Sequence, residues 1–310
     1  MSRALVFPGQ GAQYVGMAME LAGQHAVARE LLDRGDKALG MNLSGVIANG
    51  PEADLTRTDI SQPAILVASV IALEVLKTVV RPLTFAATAG LSLGEYTALV
   101  AAGSLGFEDA VRLVRLRGQA MQAAAEAVPS GMVALIGADE AGAAKLCAAA
   151  AQGEVLQVAN LNAPGQVVIS GAKTACDRAV ALAKDHGIRK AVTLAVAGAF
   201  HSALMLPAAE RLRAALKATA FKDPAVPVYT NVHAGPVTKA SEIPALLEAQ
   251  LSQPVRWADS VVNMQQAGIT EFWELGPGKT LSGMITRTVT GVGMKNLDKA
   301  ADLVGFMPTA

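Results

Sequence analysis

A chain of 310 residues with 52% hydrophobic content can bury a sizeable core, as one large domain or two smaller ones, which excludes a disordered polymer. Lys plus Arg and Asp plus Glu balance at 26 each, so nucleic acid and anionic membrane find no broad basic footprint, and partners must be recognised locally. Charges interrupt the apolar runs before the roughly 20 residues of a membrane span, and Met1 to Leu5 leads into a core-like strand without the cleavage pattern of a signal peptide. The expected compartment is the cytoplasm, or an organelle if a targeting peptide has been removed.

Ala4-Leu5-Val6-Phe7 predicts a short buried strand ending at Pro8-Gly9-Gln10-Gly11, where the glycines let the backbone of Gln10 approach a ligand or another loop. A plain strand-to-helix loop has the same composition. Tyr14 to Leu39 is helix-rich. Pro63 to Val80 predicts a helix with proline in its first turn and apolar residues at Ile65, Leu66, Val70, Leu73 and Leu76. Pro82 ends it and delivers the chain to a strand of small residues, 84 to 89.

Gly90-Leu91-Ser92-Leu93-Gly94 then reads Gly-x-Ser-x-Gly, between that strand and the apolar-periodic segment Tyr96 to Ala102. Strand, sharp turn and helix in this order make the layout of a nucleophile elbow. Glycines relieve the crowding at the tip of so tight a turn, and the helix aims its free N–H groups at the space beside Ser92. In a chain with 29 glycines a short pattern of this kind also arises as an ordinary turn.

Glu108 to Glu126 predicts a helix whose apolar stripe runs Ala110, Leu113, Val114, Met121, and Arg117 falls on that stripe. A guanidinium facing inward needs a carboxylate, from a protein acid or from an anionic substrate. From about Gly131 the texture changes. Met132 to Ile136, Val155 to Leu161, Gln166 to Ser170 and Lys190 to Val196 predict strands, with helices at Asp139 to Ala151 and Lys173 to His186. This βαββαβ order is that of the ferredoxin-like unit. The expected architecture is therefore α/β: a larger subdomain over 1–127 and 198–310, with a smaller ferredoxin-like subdomain, 128–197, inserted. Cys147 and Cys176 lie in the two helices of this insert, lack any Cys-x-x-Cys or metal spacing, and read as buried thiols. Beyond the insert come a helix over Ser202 to Ala218, a strand over Val226 to Asn231, a helix over Pro244 to Leu251, another from Trp257, and a strand over Thr270 to Glu274.

A serine nucleophile needs a base, and the chain has four histidines. His25, His186 and His233 occupy polar helix, helix-end and turn positions. His201 follows Gly198-Ala199-Phe200 after a strand and precedes a helix, where loops of α/β proteins present chemistry. No acid between Ser92 and His201 announces itself as the third member of a triad.

Phe7-Pro8-Gly9-Gln10-Gly11, Ser61-Gln62-Pro63-Ala64, Gly90-x-Ser92-Leu93-Gly94-Glu95-Tyr96, Arg117-Gly118, Gly198-Ala199-Phe200-His201-Ser202 and Gly276-Pro277-Gly278-Lys279 occur in this order. In that order and spacing they resemble the malonyl-CoA:acyl carrier protein transacylase family over nearly the whole chain. The resemblance implies an α/β-hydrolase-like body with a ferredoxin-like insert. It further implies ping-pong transfer of malonyl from malonyl-CoA to the phosphopantetheine thiol of acyl carrier protein, through an ester on Ser92. His201 would be the general base, oriented by the backbone carbonyl of Gln250 and not by an acid. The backbone N–H groups of Gln10 and Leu93 would form the oxyanion hole. Arg117 would hold the malonyl carboxylate, Phe200 would line the acyl pocket, and Asn160 and Gln166 would contact the arm of either carrier, coenzyme A or acyl carrier protein. No metal or permanently bound cofactor is implied; coenzyme A enters as the thioester substrate, and the chain is expected to be a monomer. The family commonly has histidine where this chain has Leu91, and the side chain there is expected to point away from the nucleophile. The two other readings are a free-standing acyltransferase of a polyketide synthase and a serine hydrolase of thioesters.

Overall fold

The structure is a computed structural model that describes residues 2–307. Met1 and residues 308–310, both within the range expected for the larger subdomain, lie outside the described residues. In chain order the strands are β1 (Arg3–Phe7), β2 (Ala87–Gly90), β3 (Ser130–Ile136), β4 (Leu156–Ala163), β5 (Gln166–Ala172), β6 (Lys190–Thr193), β7 (Val228–Tyr229), β8 (Pro236–Val237), β9 (Glu271–Leu275) and β10 (Gly293–Leu297). They build two sheets. A six-stranded sheet runs β10-β9-β1-β2-β7-β8, parallel except for β8 against β7, and a four-stranded antiparallel sheet runs β4-β5-β3-β6.

Ala4 to Phe7 are buried without a polar break, as a parallel strand covered on both faces requires. β1 sits between β2 and β9, with Phe7 opposite Gly90, and Leu91 N–H donates to Phe7 O at 3.1 Å. That register sets the loops after β1 and β2 side by side at the carboxyl ends of adjacent parallel strands, where open α/β sheets bind ligands. A Cβ on Gly90 would run into the backbone of Gly94, and one on Gly94 into the carbonyl of Phe7. Both glycines of the elbow are thus required by close backbone approach.

The helix expected from Pro63 begins earlier and spans Thr58–Val79. Pro63 lacks an N–H for the carbonyl four residues back, and that carbonyl, Asp59 O, accepts instead from Arg115 Nη1 on the neighbouring helix Phe107–Ala127. Contrary to the expectation that charges interrupt every apolar run, this helix is long and apolar enough to span a bilayer. It is nevertheless a core helix, with 94% of its most apolar window buried in the protein.

In the second sheet the side chains alternate by face. Val133, Leu135, Val167 and Ile169 pack with the helices Glu140–Ala151 and Lys173–Leu182, where Cys147 and Cys176 are buried and unpaired. Met132, Ala159 and Val168 face the other way, into the main core. The edge strand β4 is joined to the larger sheet's side of the molecule: Leu161 N–H donates to Val255 O at 2.9 Å and Val255 N–H to Ala159 O at 2.8 Å. Helices Leu43–Asn49, Glu52–Thr56 and Thr280–Thr288 and the strands β8 and β10 had no distinct signature in the sequence.

Candidate active site

A cleft of about 310 Å³ opens between the two sheets. Gln10, Leu91, Ser92 and His201 line it from the larger body, Met132, Asn160, Asn162 and Val168 from the smaller sheet, with Phe200, Met121 and the helix Thr280–Thr288 completing the walls.

Ser92 stands at the elbow with φ of 51°, a left-handed backbone that a serine adopts only when its surroundings hold it there. Asn231 does much of the holding. Its Oδ1 accepts from Ser92 N–H at 2.6 Å and its Nδ2 donates to Gly90 O at 2.7 Å. Asn231 follows β7, the strand beside β2, so the sheet order brings it to the elbow.

His201 also has positive φ, 57°. The turn around it is closed by Ser202 Oγ, which donates to Ala199 O at 2.7 Å and accepts from Leu204 N–H at 3.3 Å. The imidazole bridges two oxygens: Nε2 lies 2.8 Å from Ser92 Oγ and Nδ1 lies 2.7 Å from the carbonyl of Gln250. A carbonyl can only accept, so Nδ1 carries the proton and Nε2 is left free to take the serine's. Burial, then the Arg117 charge, lower the His201 pKa to about 4 against the Gln250 bond that raises it, so the ring is neutral near pH 7.

Arg117 is 1% exposed, and its partners are neutral. Nη1 donates to Gln62 Oε1 at 2.7 Å; Nη2 donates to Gln250 Oε1 at 2.9 Å and to Ser92 Oγ at 3.0 Å. Its Nε is buried without a partner, and its Cζ stands 5.7 Å from the centre of the Tyr96 ring. Among the described residues no carboxylate forms an ion pair with it. Burial lowers its pKa, while Tyr96 and Glu95 raise it. Glu95 does not touch it directly; the Gln250 amide stands between them, its Nε2 donating to Glu95 Oε2 at 2.8 Å. Burial raises the Glu95 pKa to about 7, against the hydrogen bonds from Asn231 and Gln250 and the Arg117 charge.

Ser92 and Gln250 thus each contact both His201 and Arg117, and one another. The N–H groups of Gln10 and Leu93 have no hydrogen-bond partner among the described residues. Phe200 and Asn160 line the cleft, and Asn162 Oδ1 is buried without a partner on the same side. Gln166 shares a face of β5 with Val168 but sits at the hairpin turn, outside the lining residues. Leu91, expected to point away, lines the cleft while packing against the core that holds Trp257 and Phe272. Sequence reasoning did not reach Asn231 or the contacts of Gln62 and Glu95. Gln62 and Glu95 lie within Ser61-Gln62-Pro63-Ala64 and the elbow segment, whereas Asn231 carries no local signal.

A family model for the acyl transferase domain matches residues 4–308. Malonyl CoA-acyl carrier protein transacylases from Haemophilus influenzae and Escherichia coli K12 are each 44% identical over 289 residues, 92% of this chain and of theirs. The chain belongs to the malonyl-CoA:acyl carrier protein transacylase family. Family structures superpose closely. An acyl carrier protein S-malonyltransferase from Vibrio cholerae aligns with a TM-score of 0.94 and 42% identity, covering 99% of this chain and 100% of that one. A malonyl-transacylase solved with its type II PKS acyl-carrier protein aligns at 0.93 and 38% identity, covering 98% of both.

Proposed function

We propose that this chain transfers a malonyl group from malonyl-CoA to the phosphopantetheine thiol of an acyl carrier protein, through a malonyl ester on Ser92, in support of fatty-acid synthesis. The observation that carries this reading is the buried guanidinium of Arg117, 3.0 Å from Ser92 Oγ and without a carboxylate partner among the described residues. A buried cation held by neutral amides is costly to leave so, and an acyl group ending in a carboxylate would complete it. A thioester bearing that carboxylate would be anchored with its carbonyl beside the serine.

The chemistry follows from the proton positions. Ser92 O–H gives its proton to His201 Nε2 as Oγ attacks the thioester carbonyl. The oxyanion that forms is taken by the N–H groups of Gln10 and Leu93, a pair of donors worth about a hundredfold each in related sites. His201 then protonates the leaving sulfur, and coenzyme A departs as the thiol. In the second half the carrier's thiol gives its proton to His201, its sulfur attacks the ester, and the same proton returns to Ser92 Oγ. The carbonyl of Gln250 keeps Nδ1–H in place throughout and stabilises the imidazolium without an aspartate.

The architecture reads the same way. The mixed six-stranded sheet is taken as an α/β-hydrolase-like body over 1–127 and 198–310. The order β4-β5-β3-β6 with two helices on one face is taken as a ferredoxin-like insert, 128–197. On this division the cleft lies at the joint of the two, where Asn160 and the free Asn162 oxygen are available to the amides of a pantetheine arm. The chain is taken to act as a monomer, and the compartment would be the cytoplasm, or an organelle after processing. The 38% identity to a malonyl-transacylase bound to a type II PKS carrier favours polyketide supply as the second reading.

The test separates transfer from hydrolysis. Acyl-enzyme freed of coenzyme A is mixed with holo carrier protein and both masses are followed. The malonyl group is expected to leave the enzyme and appear on the carrier; loss to water alone would make the chain a thioester hydrolase.

A further inference from the structure

Glu95 is 2% exposed and does not line the cleft, yet one of its oxygens gathers the whole site. Oε2 accepts from Asn231 N–H at 2.9 Å and from Gln250 Nε2 at 2.8 Å. Asn231 in turn holds the Ser92 N–H through its side chain. Gln250 donates from Nε2 to Ser92 O at 3.0 Å, turns Oε1 to Arg117, and presents its backbone carbonyl to His201. Nucleophile, base and arginine each stand one residue away from a single buried acceptor.

We propose that Glu95 is the positioning residue of this site, its Oε2 setting the orientation of the Gln250 amide and through it the placement of His201 and Arg117. The two hydrogens of Gln250 Nε2 face Glu95 Oε2 and Ser92 O, with Asn231 Oδ1 farther off at 3.4 Å, which leaves Oε1 for the guanidinium. A flipped amide would set oxygen against both of those oxygens and N–H against the guanidinium. The oxygen, and not the charge, is what matters, since both bonds converge on Oε2 and an amide could place its own oxygen there. Without any acceptor, two buried N–H donors lose their partner, and the Gln250 amide loses its shortest Nε2 bond and is held less firmly by Ser92 O and the guanidinium.

The consequence for substrate choice rests on the acyl-transfer reading above; the geometric claim does not. Glu95→Leu removes the acceptor at similar volume, and Glu95→Gln keeps one. Two readouts are taken: the ratio of kcat/KM for malonyl-CoA over acetyl-CoA, and the proton NMR signal of His201 Nδ1–H. Glu95→Leu is expected to lower the ratio about tenfold or more, the scale of a misplaced binding group, and to shift or broaden the imidazole signal. Glu95→Gln is expected to return both close to the parent. A merely structural loss would slow the two thioesters together and leave the ratio alone. If Glu95→Leu does not fold, Glu95→Met, unbranched and also without an acceptor, takes its place and is expected to lower the ratio likewise. An unchanged ratio and signal in the folded variant would overturn the proposal, as would a Gln variant as impaired as the Leu variant. If the parent transfers no malonyl, the acyl-transfer reading fails and the imidazole signal alone decides the role of Glu95.

Discussion

Arg117 Nη2 donates to Ser92 Oγ across 3.0 Å while the same Oγ lies 2.8 Å from His201 Nε2. One oxygen therefore stands between a buried cation and a neutral base. On the proposed acyl-transfer reading, Arg117 would receive the anionic end of the acyl group and Ser92 would attack its carbonyl.

Arg117→Ala is expected to lower kcat/KM for malonyl-CoA by about a hundredfold or more, since each hydrogen bond to a charged group contributes roughly 1.5–3 kcal/mol. Acetyl-CoA, which lacks the carboxylate, is expected to change much less, so the preference narrows or inverts. Arg117→Lys recovers part of the loss, because an ammonium cannot offer two parallel donors. Steady-state kinetics on both thioesters check this. A parent that uses acetyl-CoA as well as malonyl-CoA would contradict the role given to Arg117.

Phe200 lines the cleft directly before His201. Its ring is expected to occupy the space an α-methyl would need. Phe200→Ser then relaxes the preference for malonyl- over methylmalonyl-CoA by about ten- to two-hundredfold, the range for one methyl group in an apolar pocket. The ratio of the two kcat/KM values measures it, and an unchanged ratio would place selection elsewhere.

Stability against pH carries two opposed contributions from the site. The His201 pKa is lowered from 6.5 to about 4, so the unfolded chain binds a proton the folded one does not, and stability is lost as pH falls through that window. The Glu95 pKa is raised from 4.5 to about 7, so the folded chain holds the extra proton, and stability is lost as pH rises through that window. Over their overlap the two offset one another. Relative to the parent, Glu95→Gln is expected to gain about 3 kcal/mol more on going from pH 4 to 7, and His201→Gln to lose a similar amount. Urea denaturation at a series of pH values reads both differences. Slopes of the reverse sign would contradict the ionisation states assigned here.

Ser92, His201 and Arg117 could be found in the sequence because each carries a local mark: an elbow pattern, a loop after a strand, a cation on an apolar stripe. Gln250 came only through the family resemblance, since a backbone carbonyl leaves no trace in composition. Asn231 and the contact of Glu95 with Gln250 join segments more than a hundred residues apart, and no periodicity reports such contacts. The early start of the helix Thr58–Val79 was hidden for a related reason, because the carbonyl that Pro63 leaves free is satisfied by Arg115 from another helix. Leu91, expected to point away from the nucleophile, borders the cleft while its side chain packs, partly buried, against the core that holds Trp257 and Phe272.

The most direct test is intact-protein mass spectrometry after mixing with malonyl-CoA, followed by peptide mapping. The parent is expected to gain one malonyl group, mapped to Ser92, and Ser92→Ala to gain none while keeping its fold. Malonyl mass on the Ser92→Ala protein, or a parent that gains none, would contradict the account.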